Sequence, residues 1–215
     1  WRVRLGQRGI AVTDLESRFG DSVVSFCDRS GLTFELIAAD DARAPWSAID
    51  AASAIRGLHS VTMTVRERNP TIEFMRKYLG YTIVDETDER VRVAVSGGGP
   101  GKTIDIVHHP SADLAVNGLG TVHHVAMAVE NEDVQLRYRQ ALIGDGFKVT
   151  EVRDRCYFKS IYFREPGGVL FEIATMQPGF AVDEDVASLG RGLKLPPWEE
   201  QHRGDIEAHL SAVSC

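Results

Sequence analysis

From Gly57 to Val65 the chain reads GLHSVTMTV, with apolar Val61, Met63 and Val65 separated by Ser60, Thr62 and Thr64. This period of two predicts a strand with one buried face. TVHHVAMAV, Thr121 to Val129, repeats the pattern. A helical stretch follows each strand, NPTIEFMRKYLG after the first and EDVQLRYRQALIGDG after the second. In the first, Pro70 opens the helix and Gly80 ends it. Three further strands are predicted in each case: YTIVDE, VRVAVS and KTIDIVHH in one copy, FKVTEV, KSIYFRE and VLFEIA in the other.

The upstream stretch SVVSFCDRSGLTFELIA reads as a hairpin and matches SIYFREPGGVLFEIA. With Glu35 set against Glu172, Phe34 falls on Phe171, Gly31 on Gly168, Phe26 on Phe163 and Arg18 on Arg155. Each hairpin has a turn led by an acidic residue and containing glycine. Such self-similarity outranks local propensity as a sign of architecture. The repeating unit is strand–helix–strand–strand–strand. Residues 1–39 read as the C-terminal part of one unit, 40–54 as a linker, 55–117 and 118–178 as two further units, and 179–215 as a helical tail. WRVRLGQRGIAV reads as the last turns of a helix, so residues are expected upstream of Trp1. The fold class is α+β.

A formal net charge of −7 argues against a general nucleic-acid or anionic-membrane surface. No run is long and apolar enough to span a bilayer, and a cytoplasmic location is expected. Cys27, Cys156 and Cys215 are odd in number and widely spaced, which suits free thiols. SGGGPGKT, Ser96 to Thr103, mimics a phosphate loop, but Ser96 stands where that pattern needs glycine and a strand follows, so a glycine-rich hairpin turn is predicted. His108 and His109 end that strand and are expected to be exposed.

Of the paired histidines, His124 shares a strand face with the small residues Ala126 and Ala128. His123 shares the bulky face with Val125, Met127 and Val129. A small-residue face can line a cavity, which makes His124 the candidate ligand. Glu172, on the last strand of the same unit, is a carboxylate in an apolar run and either bonds to a cation or meets water at an edge. His59 aligns with His123 and Ser60 with His124, so His59 is expected to be a partly buried structural residue.

IRGLHSVTMTV, GTVHHVAMAV, YFKSIYFREPGGVLFEIAT, PGFAVDED and LGRGLKLPPW together give the chain its likeness. It resembles the vicinal oxygen chelate superfamily, the glyoxalase/bleomycin-resistance/extradiol-dioxygenase group, and within it the hydroquinone-type ring-cleaving dioxygenases. The resemblance implies paired, cupped, mixed sheets built from βαβββ units, with four units to this chain's two and a half. It implies a two-His-one-carboxylate metal site in which His124 and Glu172 are two ligands, with Fe(II) or Mn(II) bound. The third ligand is expected to be a histidine upstream of Trp1, with His59 as a substitute. Glu35 is expected to bind no metal. Tyr162 and Arg155 match pocket positions, Tyr162 for proton transfer and Arg155 for developing negative charge, and His123 matches a residue behind the ligands.

The expected activity is cleavage of a hydroquinone- or catechol-like ring with O2, the partners being a small aromatic substrate and dioxygen. The same scaffold also serves glyoxalase-like isomerases or lyases and metal-free binding proteins. An open cup would expose an apolar patch that two copies could cover as a homodimer. In the tail, Leu193, Leu195 and Trp198 are expected to dock near the last unit.

Overall fold

The computed structural model describes residues 1–46, 49–113 and 116–211. Cys215 and its expected free thiol lie outside the described residues; Cys27 and Cys156 are free. The chain forms two compact units, Trp1–Ala126 with Tyr162–Glu172, and Met127–Ile161 with Ile173–Cys215. Among the described residues no helix is long and apolar enough to cross a membrane.

A short helix α1 (Arg2–Gly6) precedes a three-stranded antiparallel sheet, β1 (Thr13–Arg18), β2 (Asp21–Cys27) and β3 (Thr33–Ala38). Ser25 pairs with Glu35 and Phe26 with Phe34. The β2–β3 turn is organised by Asp28, whose Oδ1 accepts from the backbone N–H of Ser30 and Leu32. This satisfies donors that the hairpin leaves unpaired.

Next come β4 (Ser60–Val65), α2 (Arg68–Leu79), β5 (Thr82–Glu86), β6 (Arg90–Ala94) and β7 (Thr103–His108). Their sheet runs β4-β7-β6-β5, with β4 parallel to β7 and the other pairs antiparallel. The alternation seen in the sequence sorts the two faces. Met63, Val65, Val91, Val93, Ile104 and Ile106 are buried core. Thr62, Arg92 and Asp105 lie across from one another on the other face. α2 ends at Gly80 in the left-handed conformation, as a helix C-terminal glycine does. The glycine-rich stretch is a turn: Gly97, Gly98, Gly99 and Gly101 all have positive φ.

The same order recurs in β8 (Val125–Val129), α3 (Glu132–Gly144), β9 (Arg153–Asp154), β10 (Lys159–Arg164) and β11 (Leu170–Thr175), whose sheet runs β8-β11-β10-β9. Asn131 caps α3 by accepting from the Val134 N–H. Phe74 of α2 meets the rings of Phe163 and Phe171 at 5.7 and 6.3 Å, which fixes the bulky face of β10 and β11 as the packed one. The β10–β11 turn repeats the acidic device of the first hairpin. Glu165, 2% exposed, accepts from the N–H of Gly167 and Val169 and from the Thr71 hydroxyl.

Two expectations are corrected. The strand expected over FKVTEV is reduced to a single bridge residue, Val149, with the two residues of β9 beyond it. Arg139 of α3 takes the Thr150 carbonyl and the Glu151 carboxylate, so past Val149 the chain is bound to a helix side chain. The tail forms short 3₁₀ turns and one helix, α4 (Arg203–His209), while Leu193 and Trp198 remain exposed, Trp198 at 56%. Leu195 is half-buried, and the tail meets the last repeat through Phe180, whose ring stacks on Tyr157 at 5.1 Å, while Arg203 donates to the Leu193 carbonyl and pairs with Glu200 and Glu207.

Candidate metal centre

β11 carries Glu172 between Phe171 and Ile173, both fully buried. Strand parity therefore turns Glu172 to the opposite face, where it is 3% exposed. Facing it is His124, the residue just before β8, with Nε2 2.6 Å from Glu172 Oε2. The second carboxylate oxygen, Oε1, is buried and has no hydrogen-bond partner among the described residues. An ionised carboxylate with an orphaned oxygen in a buried place is costly unless a further cation or donor meets it.

Tyr162 of β10 lies on the same side. Its ring meets that of His124 edge-on, with centroids 5.6 Å apart and planes at 83°. Its neighbours Ile161 and Phe163 are buried in the opposite direction.

His123 departs from the parity argument. β8 begins at Val125, so neither histidine is yet in the ladder and the strict alternation of a strand does not apply to them. His123 is exposed and its Nδ1 lies 2.8 Å from Nδ1 of His124. Only one nitrogen of such a contact carries the proton, so the pair fixes a tautomer for each ring.

His59 belongs to different surroundings. Its Nδ1 meets the Ser60 hydroxyl at 3.0 Å and its Nε2 lies 3.9 Å from Asp21. Burial holds its pKa below the ordinary histidine value, with Asp21 opposing that shift. Arg155 lies in the unit that contains Met127–Ile161, and its N–H donates to the Phe158 carbonyl. His108 is half-buried and His109 exposed.

The donor set suits a divalent ion. A histidine nitrogen and a carboxylate oxygen converge at 2.6 Å, and the spare buried oxygen supplies a further donor atom. Among the described residues no group of three or more His, Cys, Asp or Glu gathers to hold a metal, and His124 and Glu172 converge as a pair.

Strand–helix–strand–strand–strand units with a histidine just before the first strand and a carboxylate on the last define a class of fold to which known proteins belong. The pattern of the Glyoxalase/Bleomycin resistance protein/Dioxygenase superfamily matches residues 57–173. MhqE of Bacillus subtilis (strain 168), provisionally named a ring-cleaving dioxygenase, is 37% identical over 96% of this chain and 68% of its own length. The chlorohydroquinone/hydroquinone 1,2-dioxygenase of Sphingobium indicum is 33% identical over 96% of this chain and 66% of its own length. A crystal structure of a provisionally named dioxygenase from Bacillus subtilis superposes with a TM-score of 0.90 at 35% identity, over all of this chain and 69% of that one. The chain belongs to the glyoxalase/bleomycin resistance protein/dioxygenase superfamily.

The sequence reading overlooked Asp105. It is the third residue of β7, as Glu35 is of β3 and Glu172 of β11. The three last strands read TFE, TID and LFE, so alignment of all three would have found it.

Proposed function

We propose that the protein is a ring-cleaving dioxygenase of the extradiol type, using Fe(II) held by His124 and Glu172 to open a hydroquinone- or catechol-like aromatic with O2. The observation that carries this reading is the His124–Glu172 pair with its unpartnered buried oxygen. The ring-cleaving names of relatives at 33–37% identity support it. Mn(II) fits the same donors.

A bound Fe(II) supplies Lewis acidity toward a substrate hydroxyl and redox coupling to dioxygen. The chain's own residues do the rest. With His124 Nε2 given to a metal, its proton stays on Nδ1 and is donated to His123 Nδ1, and His123 then carries its own proton on Nε2. His123 thus orients the ligand ring, as partners behind metal-bound histidines do. Tyr162, edge-on to His124, presents a phenol on the metal side of the sheet and passes a proton to or from the substrate oxygen. The apolar packing of Phe163 and Phe171 behind the strands holds these groups at fixed spacing. The role of Arg155, countering developing negative charge, rests on its sequence motif.

The test follows aromatic absorbance and dissolved oxygen together, with hydroquinone as substrate and Fe(II) present. Loss of ring absorbance that a chelator stops is the expected result. Tight binding of hydroquinone with the ring left intact in the iron-loaded protein would contradict the proposal.

A further inference from the structure

The repeats that precede residue 118 contain positions equivalent to those of Glu172 and His124, and they are furnished differently. Glu35 and Asp105 stand third in β3 and β7, and Ser60 stands at the head of β4 where the later repeat has His124. Two acidic side chains at such positions, one of them with no exposed surface, repel each other unless a cation stands between them.

The cation is Arg18, the last residue of β1. Its Nη1 and Nη2 meet the two oxygens of Glu35 at 2.6 and 2.7 Å, and the same Nη1 lies 3.8 Å from Asp105 Oδ2. Its side chain is 9% exposed. Around this bridge the lattice continues. Arg92 grips Asp105 through Nε at 2.7 Å and Nη2 at 3.1 Å, and donates to Asp21 at 2.9 Å. Arg90 reaches Asp105 at 3.2 Å, and His59 faces Asp21. Three arginines balance three carboxylates. Bidentate guanidinium–carboxylate pairs of this kind are strong and fixed in direction.

We infer that Arg18 is a built-in cation. Its guanidinium fills, between the last-strand carboxylates Glu35 and Asp105, the place that a metal takes beside Glu172, so this half of the fold joins its three-stranded and four-stranded sheets without a metal. The comparison with Glu172 rests on the function proposed above; the role of Arg18 at Glu35 and Asp105 does not.

The local chain is built to deliver that guanidinium. A bulge between Leu15 and Arg18 shifts the β1–β2 register, so Arg18 pairs with Asp21 at the end of the ladder. Phe19 and Gly20 then turn the chain with positive φ, and the Arg92 guanidinium sits 4.8 Å over the Phe19 ring.

The experiment is thermal unfolding of three Arg18 variants in a Glu172→Ala background, which removes the other ligand pair from the readout. Arg18→Lys keeps a cation but loses the two-pronged grip on Glu35, and should lose clearly less Tm than the Met variant. Arg18→Met keeps the chain length without charge and should fall by about 10 °C, the scale expected for uncompensated buried charge in a chain of this size. Arg18→Ala opens the space and should regain at least half of its lost Tm in millimolar Mn(II), while the parent stays unmoved by Mn(II). Should Arg18→Ala fail to fold, the Lys–Met difference decides. Equal Tm for the Lys and Met variants, or an Arg18→Ala protein that folds and ignores Mn(II), would overturn the inference.

Discussion

Glu172 Oε2 lies 2.6 Å from His124 Nε2, while the other oxygen of the same carboxylate is buried with no partner among the described residues. That asymmetry suits a ligand better than a structural salt bridge, which would use both oxygens as Glu35 does with Arg18. Replacing His124 or Glu172 by Ala should reduce the bound metal to background, read by elemental analysis after desalting. Retention of metal in both variants would remove them as ligands.

The same asymmetry makes a stability prediction. In metal-free protein Glu172→Met should have a Tm equal to or above wild type, because an unpaired buried oxygen is removed and His124 can turn to water. A fall of several degrees on calorimetry would mean that Glu172 serves the fold rather than a metal.

Tyr162→Phe deletes the phenol while keeping the ring that packs on His124. Metal content should be unchanged and kcat should fall on the order of 100-fold, with an altered pH profile, as for loss of a proton-transfer group. An unchanged kcat would leave Tyr162 with packing alone.

Gly167 is fixed by space. A Cβ there would lie 2.6 Å from the Thr71 hydroxyl and 2.7 Å from both Glu165 Oε1 and a Val65 methyl. Gly167→Ala should cost about 1–3 kcal/mol in urea unfolding, through strain on the buried Thr71–Glu165 hydrogen bond.

His59 gives a pH dependence with a definite sign. Its folded-state pKa is lowered, chiefly by burial, so the unfolded chain binds the proton first as pH falls. Its contribution to stability is present above the ordinary pKa of about 6.5 and is lost as pH drops below that value. His59→Gln should flatten this part of the curve; an unchanged slope between about pH 7 and 5 would show that other groups produce it.

The repeats were legible because both periods, two in strands and three to four in helices, come from burial of one face. Val61, Met63 and Val65 announce β4, and Phe171 and Ile173 set the parity of Glu172. The paired histidines were less legible, since parity argues only inside a ladder and β8 begins one residue after them. The missing FKVTEV strand depended on Arg139, a helix side chain whose reach to the Thr150 carbonyl no alternation pattern encodes. The tail carried enough leucine and tryptophan to suggest docking, yet the contact it makes with the last repeat is through Phe180 on Tyr157, and Arg203 with Glu200 and Glu207 ties its later part together. Asp105 was hidden by being read as one polar residue in a single strand, when its meaning lies in its position across three.

The central claim is that His124 and Glu172 hold the metal with which an aromatic ring is cleaved. An oxygen-electrode measurement with hydroquinone and Fe(II), comparing wild type with Glu172→Met shown to be folded, tests it most directly. The account predicts one O2 consumed per ring lost in wild type and no uptake above the protein-free rate in the variant. Equal oxygen uptake by the two proteins would contradict it.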